Sequence, residues 1–194
     1  MLPASTGHEP LDYKDVGIPA GFSLSKLLVD TVGGFVVAHF TRLAKPNHGA
    51  FWVRGFNEER YRPLVGEVTG ERNHSEAALD PAGFRLFVNV WSLGRVEGAN
   101  GESWEGYDWL GLESYDLTTA TKQSTLTQII VEGAGDGVWV SDLLGPSTLV
   151  GHVVAKVAVQ HQVGDRGHVT YHICDLDTAT GVARVLTDLR AVFA

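Results

Sequence analysis

Cysteine is almost absent from this sequence: Cys174 stands alone in 194 residues. One thiol excludes an internal disulfide and a zinc site built on cysteines, and it suits a reducing compartment. Long apolar runs are missing too. No stretch approaches the ~20 consecutive apolar residues of a membrane-spanning helix, and the opening MLPASTGHEPLDYKD lacks the basic-then-apolar order of a secretion signal. A cytoplasmic protein with no membrane partner is expected. Positive charge is scarce. Fifteen Lys and Arg against 23 Asp and Glu leave a net charge of −8, a field that repels polyanions, and no compact basic run offsets it, so nucleic acid is excluded as a partner.

What remains is a globular composition, 44% apolar and 20% charged, of a length that fits one domain. Glycine is plentiful at 23 residues, which favours a fold with many tight turns, because Gly takes positive φ without steric cost. Residues 1–20 hold three prolines and read as an irregular arm before a β-repeat domain, 21–194.

The remainder repeats itself. DLTTATK (116–122) is echoed by DLDTATG (175–181), 59 residues on. WLGLESYDL and HVTYHICDL precede them, and another step of 59 back reaches AFWVRGFNE (50–58). In that alignment Phe51, Leu110 and Val169 form an apolar column, as do Val53, Leu112 and Tyr171, with Arg54, Glu113 and His172 as a polar one. Alternation of this kind marks a half-buried strand, so one strand type occurs three times. Asp-x-x-Gly also recurs at 30–33, 80–83 and 142–145, each between β-prone runs; Asp bonds its own backbone there and Gly supplies the left-handed angle. These residues predict an all-β fold of three four-stranded antiparallel repeats of about 59 residues, with units of 21–70, 71–131 and 132–190. Each unit runs strand, Asp-x-x-Gly turn, strand, variable loop, strand, Asp turn, strand.

LDPAGFRLFV (79–88) resembles the S-P-D-G-x-x-L-x-F segment of the six- and seven-bladed β-propeller repeat family, and YDLTTAT and CDLDTATG resemble its D-L-x-T-G hairpin. The likeness covers about residues 20–190, while NEERY (57–61) and Gly133–Asp136 depart from it. It implies a propeller-like arc. Propellers typically have about 4 to 8 blades, so three units imply self-association into a dimer-completed ring, or further blades on another polypeptide. A β-trefoil, which also has three four-stranded units, is the alternative fold, although its Gln-x-Trp marks are absent.

In a propeller blade the variable loops share the ligand face, where function concentrates. That places His48 in TRLAKPNHGA, Arg72 and His74 in VTGERNHSE, Trp104, Glu105 and Tyr107 in SLGRVEGANGESWEGYDW, and His161, Arg166 and His168 in QHQVGDRGH as candidate ligand-binding residues. Trp and Tyr between carboxylates suit a sugar ring or a peptide; equally, Trp104 and Trp109 can fold back to anchor a long glycine-rich loop. Imidazoles bind divalent metals and move protons near neutral pH. Propeller lyases acting on acidic sugars, such as oligogalacturonate lyase, gather them around a metal. No tight His pair appears here, so no cofactor is assigned, a divalent metal being the one that these residues would suit. Cys174 reads as a packing residue. No nucleophile elbow, phosphate cradle or dinucleotide fingerprint occurs, and no catalytic residue is assigned. The favoured function is a non-catalytic ligand- or protein-binding module; the alternative is a carbohydrate- or lactone-acting lyase or hydrolase.

Overall fold

A computed structural model describes residues 21–42, 45–66, 72–80, 82–97, 103–134, 137–163 and 166–188, without the side chains of 45–48, 72–75, 95–97, 103–105, 162–163, 166–167 and 188. The expected arm, 1–20, lies outside the described residues. Among these residues there is no helix. The first sheet has the order β1 (Phe22–Asp30), β2 (Phe35–Arg42), β3 (Lys45–Gly55), β4 (Arg62–Val65). The second has β5 (Arg72–Asp80), β6 (Arg85–Glu97), β7 (Ser103–Asp116), β8 (Thr121–Leu126). The third has β10 (Val138–Pro146), β11 (His152–Val163), β12 (Arg166–Asp177), β13 (Val182–Asp188), and β9 (Ile130–Val131) joins it parallel to β13.

Sequence neighbours pair along β1–β4, β5–β8 and β10–β13, and at four of the connections a turn aspartate satisfies its own backbone. Asp30 Oδ1 accepts from Val32 N at 2.9 Å and Gly33 N at 2.8 Å; Asp80 Oδ1 accepts from Gly83 N at 3.1 Å. At the same end of the sheets, Asp116 Oδ1 accepts from Thr119 N at 2.8 Å and Asp177 Oδ1 from Ala179 N at 2.9 Å. The third Asp-x-x-Gly segment does not turn. Asp142–Gly145 lies inside β10, where Asp142 pairs with Lys156 and the strand ends at the Pro146–Val153 pair. The Asp142 carboxylate, 2.8 Å from Lys156 Nζ, bonds across the ladder instead of to its own loop.

The 59-residue echo is displaced as well. Gly55, Asp116 and Asp177 occupy the same ladder position, opposite Phe35, Arg85 and His152. Their spacing is 61, so Asp116 corresponds to Asp177 and not to Asp175. The turn geometry agrees: Ala120 (φ 55°) and Gly181 (φ 77°), each four residues after its Asp, share the left-handed conformation. In this register Trp52, Glu113 and Cys174 form one column, and Arg54, Tyr115 and Leu176 the next. The expected columns are corrected by two residues at each repeat. The column Phe51, Leu110, Val169 fails on burial also, since Leu110 and Val169 are exposed.

The sheets stack through two cores. Ala78, Phe87 and Leu112 of the second sheet cluster with Val140, Leu143, Val153, Ala155 and Val157 of the third. Ala77, Leu79, Leu86 and Val88, on its other face, cluster with Val37, Phe51 and Val53 of the first. The middle sheet is therefore apolar on both faces, and its central strand β6 reads LFV without a polar break, as a strand buried on both sides must.

A bulge recurs in the first strand of each sheet. The ladder skips one residue between Leu24 and Lys26, His74 and Glu76, and Val140 and Asp142. The skipped residue is Ser25, Ser75 or Ser141. After each bulge comes a charged residue, Lys26, Glu76 or Asp142, opposite His39, Asn89 or Lys156. Bulges re-aim side chains, and here all three re-aim a charge.

Candidate functional site

Two places gather polar chemistry. The first is the end of the sheets where β2–β3, β6–β7 and β11–β12 connect. The segments expected to be long loops are mostly strand: the β6–β7 ladder continues to the Glu97–Ser103 pair and the β11–β12 ladder to Val163–Arg166. Ladder hydrogen bonding extends while partners remain opposite each other, and the facing Gly94–Gly106 pair offers no steric obstacle. Trp104, Glu105 and Tyr107 thus belong to β7, Arg72 and His74 to β5, His48 to β3, and Arg166 to β12, which corrects their assignment to loops.

The side chains of His48, Arg72, His74, Trp104, Glu105 and Arg166 lie outside the described residues. Their backbones place Arg72, His74, Trp104, Glu105 and Tyr107 in the second sheet, His161, Arg166 and His168 in the third, and His48 in the first. Tyr107 is 57% exposed. His161 and His168 are cross-strand partners, and their rings stack with centroids 4.9 Å apart. The imidazoles are thus adjacent, not separated by a loop. A chain of hydrogen bonds extends from them: His161 Nε2 to Thr170 Oγ1 at 2.9 Å, and Thr170 Oγ1 to His172 Nε2 at 3.1 Å. Thr170 is buried, and His172 Nδ1 is buried with no hydrogen-bond partner among the described residues. Trp109 folds inward, its Nε1 donating to Asn89 Oδ1 at 2.8 Å.

The second place sequence reasoning missed. It is the bulge row in the first strand of each sheet. Glu76 Oε2 accepts from Leu143 N at 2.9 Å and is hydrogen-bonded to Asp142. Burial pushes the Glu76 carboxyl up to about 7, against the hydrogen bond from Leu143 and with added repulsion from Asp142. Burial also raises Asp142, but hydrogen bonds with Lys156, Glu76 and Ser141 outweigh it and hold the carboxyl below its ordinary value. Lys156, held protonated chiefly by the Asp142 hydrogen bond, also lies over the Tyr171 ring at 4.7 Å. Asn89 Nδ2 donates to Val140 O at 3.2 Å and Ser141 O at 3.4 Å. In the first sheet, burial and then Lys26 lower His39 to about 4, and its ring stacks on Phe51 at 4.4 Å. The signal that could have revealed the row is Ser followed by a charge, SK, SE and SD, at 25, 75 and 141; its spacings are unequal, so a fixed-period search passes over it.

Two other buried groups have structural roles. Glu113, 2% exposed, accepts from Tyr115 Oη and from Lys122 Nζ, each at 2.5 Å. Cys174 is fully buried, and burial pushes its thiol up to about 11, which suits packing and not nucleophilic attack. A cleft of about 420 Å³ at the connection into the third sheet is lined by Thr127, Gln128, Ile130, Ala134, Gly137 and Val138, among others. Among the described residues, no three His, Cys, Asp or Glu are arranged to hold a metal ion, and no helix is long and apolar enough to cross a membrane. Comparison with known proteins finds no family model, no curated relative and no solved structure that matches the chain.

Proposed function

We propose that this protein is a non-catalytic binding module of β-propeller-like build that takes its ligand or partner at the hairpin ends of its sheets. One observation carries the reading: the turn ends of the sheets and the hairpin ends of the second and third sheets use their described polar side chains differently. At the turn end, Asp30, Asp80, Asp116 and Asp177 are committed to local backbone and hydroxyl groups. At the opposite end Tyr107 projects into solvent and His168 presents an exposed face of the imidazole stack. Exposed aromatic and imidazole faces provide area and adaptable hydrogen bonding at little entropic cost. The test is a thermal-shift screen against neutral and acidic oligosaccharides and short peptides. A ligand that binds only the folded state raises the midpoint with concentration. For any hit, Tyr107→Ala and His168→Ala should abolish the shift while leaving the unliganded midpoint in place. Hits unaffected by both variants place the binding surface elsewhere.

A second reading has its own support. The His161–Thr170–His172 hydrogen-bond chain and a Glu76 carboxyl pushed up to about 7 by burial are residue types that acid–base catalysis uses. They favour the carbohydrate- or lactone-acting lyase or hydrolase, with or without a divalent metal. Turnover of such a substrate with a pH profile abolished by His172→Gln supports this reading; absence of turnover across the oligosaccharide and lactone panel, with and without Mn²⁺, Ca²⁺ and Zn²⁺, rejects it.

A further inference from the structure

The junction between the second and third sheets has a set of polar ties. Glu76 accepts from Leu143 N, Asn89 donates to Val140 O and Ser141 O, and Asp80 Oδ2 accepts from Gly151 N at 2.8 Å. By ladder position, Asp142 in the third sheet corresponds to Glu76 and Lys156 to Asn89. Val140 and Leu143 occupy the inward core, so Lys156 lies on the face that points away from the second sheet, and Asp142, on the edge strand β10, reaches both Lys156 and Glu76. The third sheet therefore ends in a carboxylate and a multiple donor at the positions where the second sheet places its carboxylate and its amide donor. Around them Leu144, Val169 and Tyr171 are 52%, 40% and 39% exposed.

The complementary surface is at the other end of the chain. Leu24, Ser25 and Leu27 of the first sheet correspond to Val140, Ser141 and Leu143 of the third. Leu27 and Val29, on the face turned away from the second sheet, are 49% and 53% exposed. Their counterparts in the middle sheet, Ala77 and Leu79, are 4% and 6% exposed. Arg54 shares this face through its pairing with Val36, and its Nε is buried without a partner. On the third sheet's outer face Asp175 Oδ1 is likewise buried without one. Each face thus carries exposed apolar side chains, a donor and acceptor set, and one buried polar atom without a hydrogen-bond partner, Arg54 Nε on the first sheet and Asp175 Oδ1 on the third.

We infer that the outer face of the third sheet docks on the outer face of the first sheet of a second copy of this chain, head to tail, with Asp142 accepting from the Leu27 main chain and Lys156 donating to the Leu24 and Ser25 carbonyls. The contact repeats the polar junction that the chain builds between its second and third sheets. It rests on the correspondence between sheets and not on the ligand reading above, so each can fail alone. Two copies arranged this way use both faces of both chains, which leaves neither apolar surface in water.

Light scattering over a concentration series tests it on the full chain: the expected mass is twice 20.9 kDa, and Leu27→Asp should return it to the single-chain value with the far-ultraviolet β signal intact. A wild-type chain that stays at 20.9 kDa throughout overturns the proposal. Orientation is read with Leu27→Cys and Leu144→Cys chains joined by a short bis-maleimide, Cys174 being fully buried. Mixed chains should give a 27-to-144 cross-link that neither variant forms alone. A 27-to-27 or 144-to-144 product shows like faces in contact and overturns head-to-tail docking.

Discussion

The middle sheet and the two end sheets share one strand order yet live in different solvents. In the middle sheet adjacent residues on one strand are both buried: Leu86, Phe87 and Val88 have no accessible surface, and neither does Val90. In the first sheet, Leu28 packs toward the core while its neighbours Leu27 and Val29 are about half exposed. An apolar side chain contributes about 25 cal/mol per Å² of surface removed from water, so the same residue type stabilises strongly in one sheet and weakly in the other. Position in the stack, and not strand sequence, decides which leucines hold the chain together.

The largest expected effect tests that contrast directly. Phe87→Ala should lower the unfolding free energy by about 3–5 kcal/mol, the range for deleting a fully buried aromatic, whereas Leu27→Ala should cost less than about 1 kcal/mol at concentrations where the chain is monomeric. Urea denaturation of both variants gives the comparison; equal losses would mean the end sheet is as fully packed as the middle one.

A middling effect concerns the junction at Glu76. Its folded-state value of about 7 stands above the ordinary 4.5, so the folded state holds a proton that the unfolded chain releases. The contribution is unfavourable: absent below about 4.5, it grows as pH rises and is complete above about 7. Glu76→Gln keeps an acceptor for Leu143 N and a donor for Asp142. It should flatten the stability profile between those limits and raise stability at pH 8 by about 1–2 kcal/mol, after allowance for solvent screening of a half-buried group. A variant whose pH profile parallels that of the natural protein would show that Glu76 does not titrate there.

The smallest effect compares the turns of the middle and third sheets. Ala120 adopts the left-handed conformation that Gly181 holds in the third. Ala120→Gly should stabilise by about 0.5 kcal/mol, the relief of Cβ strain being partly offset by a more flexible unfolded chain. Gly181→Ala should destabilise more, because its Cβ would stand 2.3 Å from Gln128 O. Thermal midpoints of the pair decide it.

The displaced echo explains what was legible and what was not. Shifting an alignment by two residues keeps every side chain on its own face, because strand periodicity is two. The alternation in AFWVRGFNE and HVTYHICDL therefore reports strand and face correctly at spacing 59 or 61, and cannot choose between them. DLDTATG has Asp residues at 175 and 177, so it offers two alignments; the Asp177 turn with Thr180 and Gly181 settles the matter. The candidate binding residues were found by chemistry, but their setting was misread. SLGRVEGANGESWEGYDW looks like a loop by its glycines, yet most of it pairs across a ladder. The bulge row was illegible because Asp142 resembles a turn former and is, in three dimensions, the counterpart of Lys26 and Glu76.

By itself, the sequence determined the all-β class, the order of the four antiparallel strands in each sheet and the turns at Asp30, Asp80 and Asp116, since all depend on neighbours a few residues apart, whereas the parallel β9–β13 pairing does not. Only the tertiary structure decided the 61-residue correspondence, the stacking of the three sheets, the His161–His168 stack and the convergence of Glu76 with Asp142 and Lys156. Those contacts join residues far apart in the chain or opposite one another on a ladder. Their energies depend on which face meets which, and alternation along a single strand does not encode that.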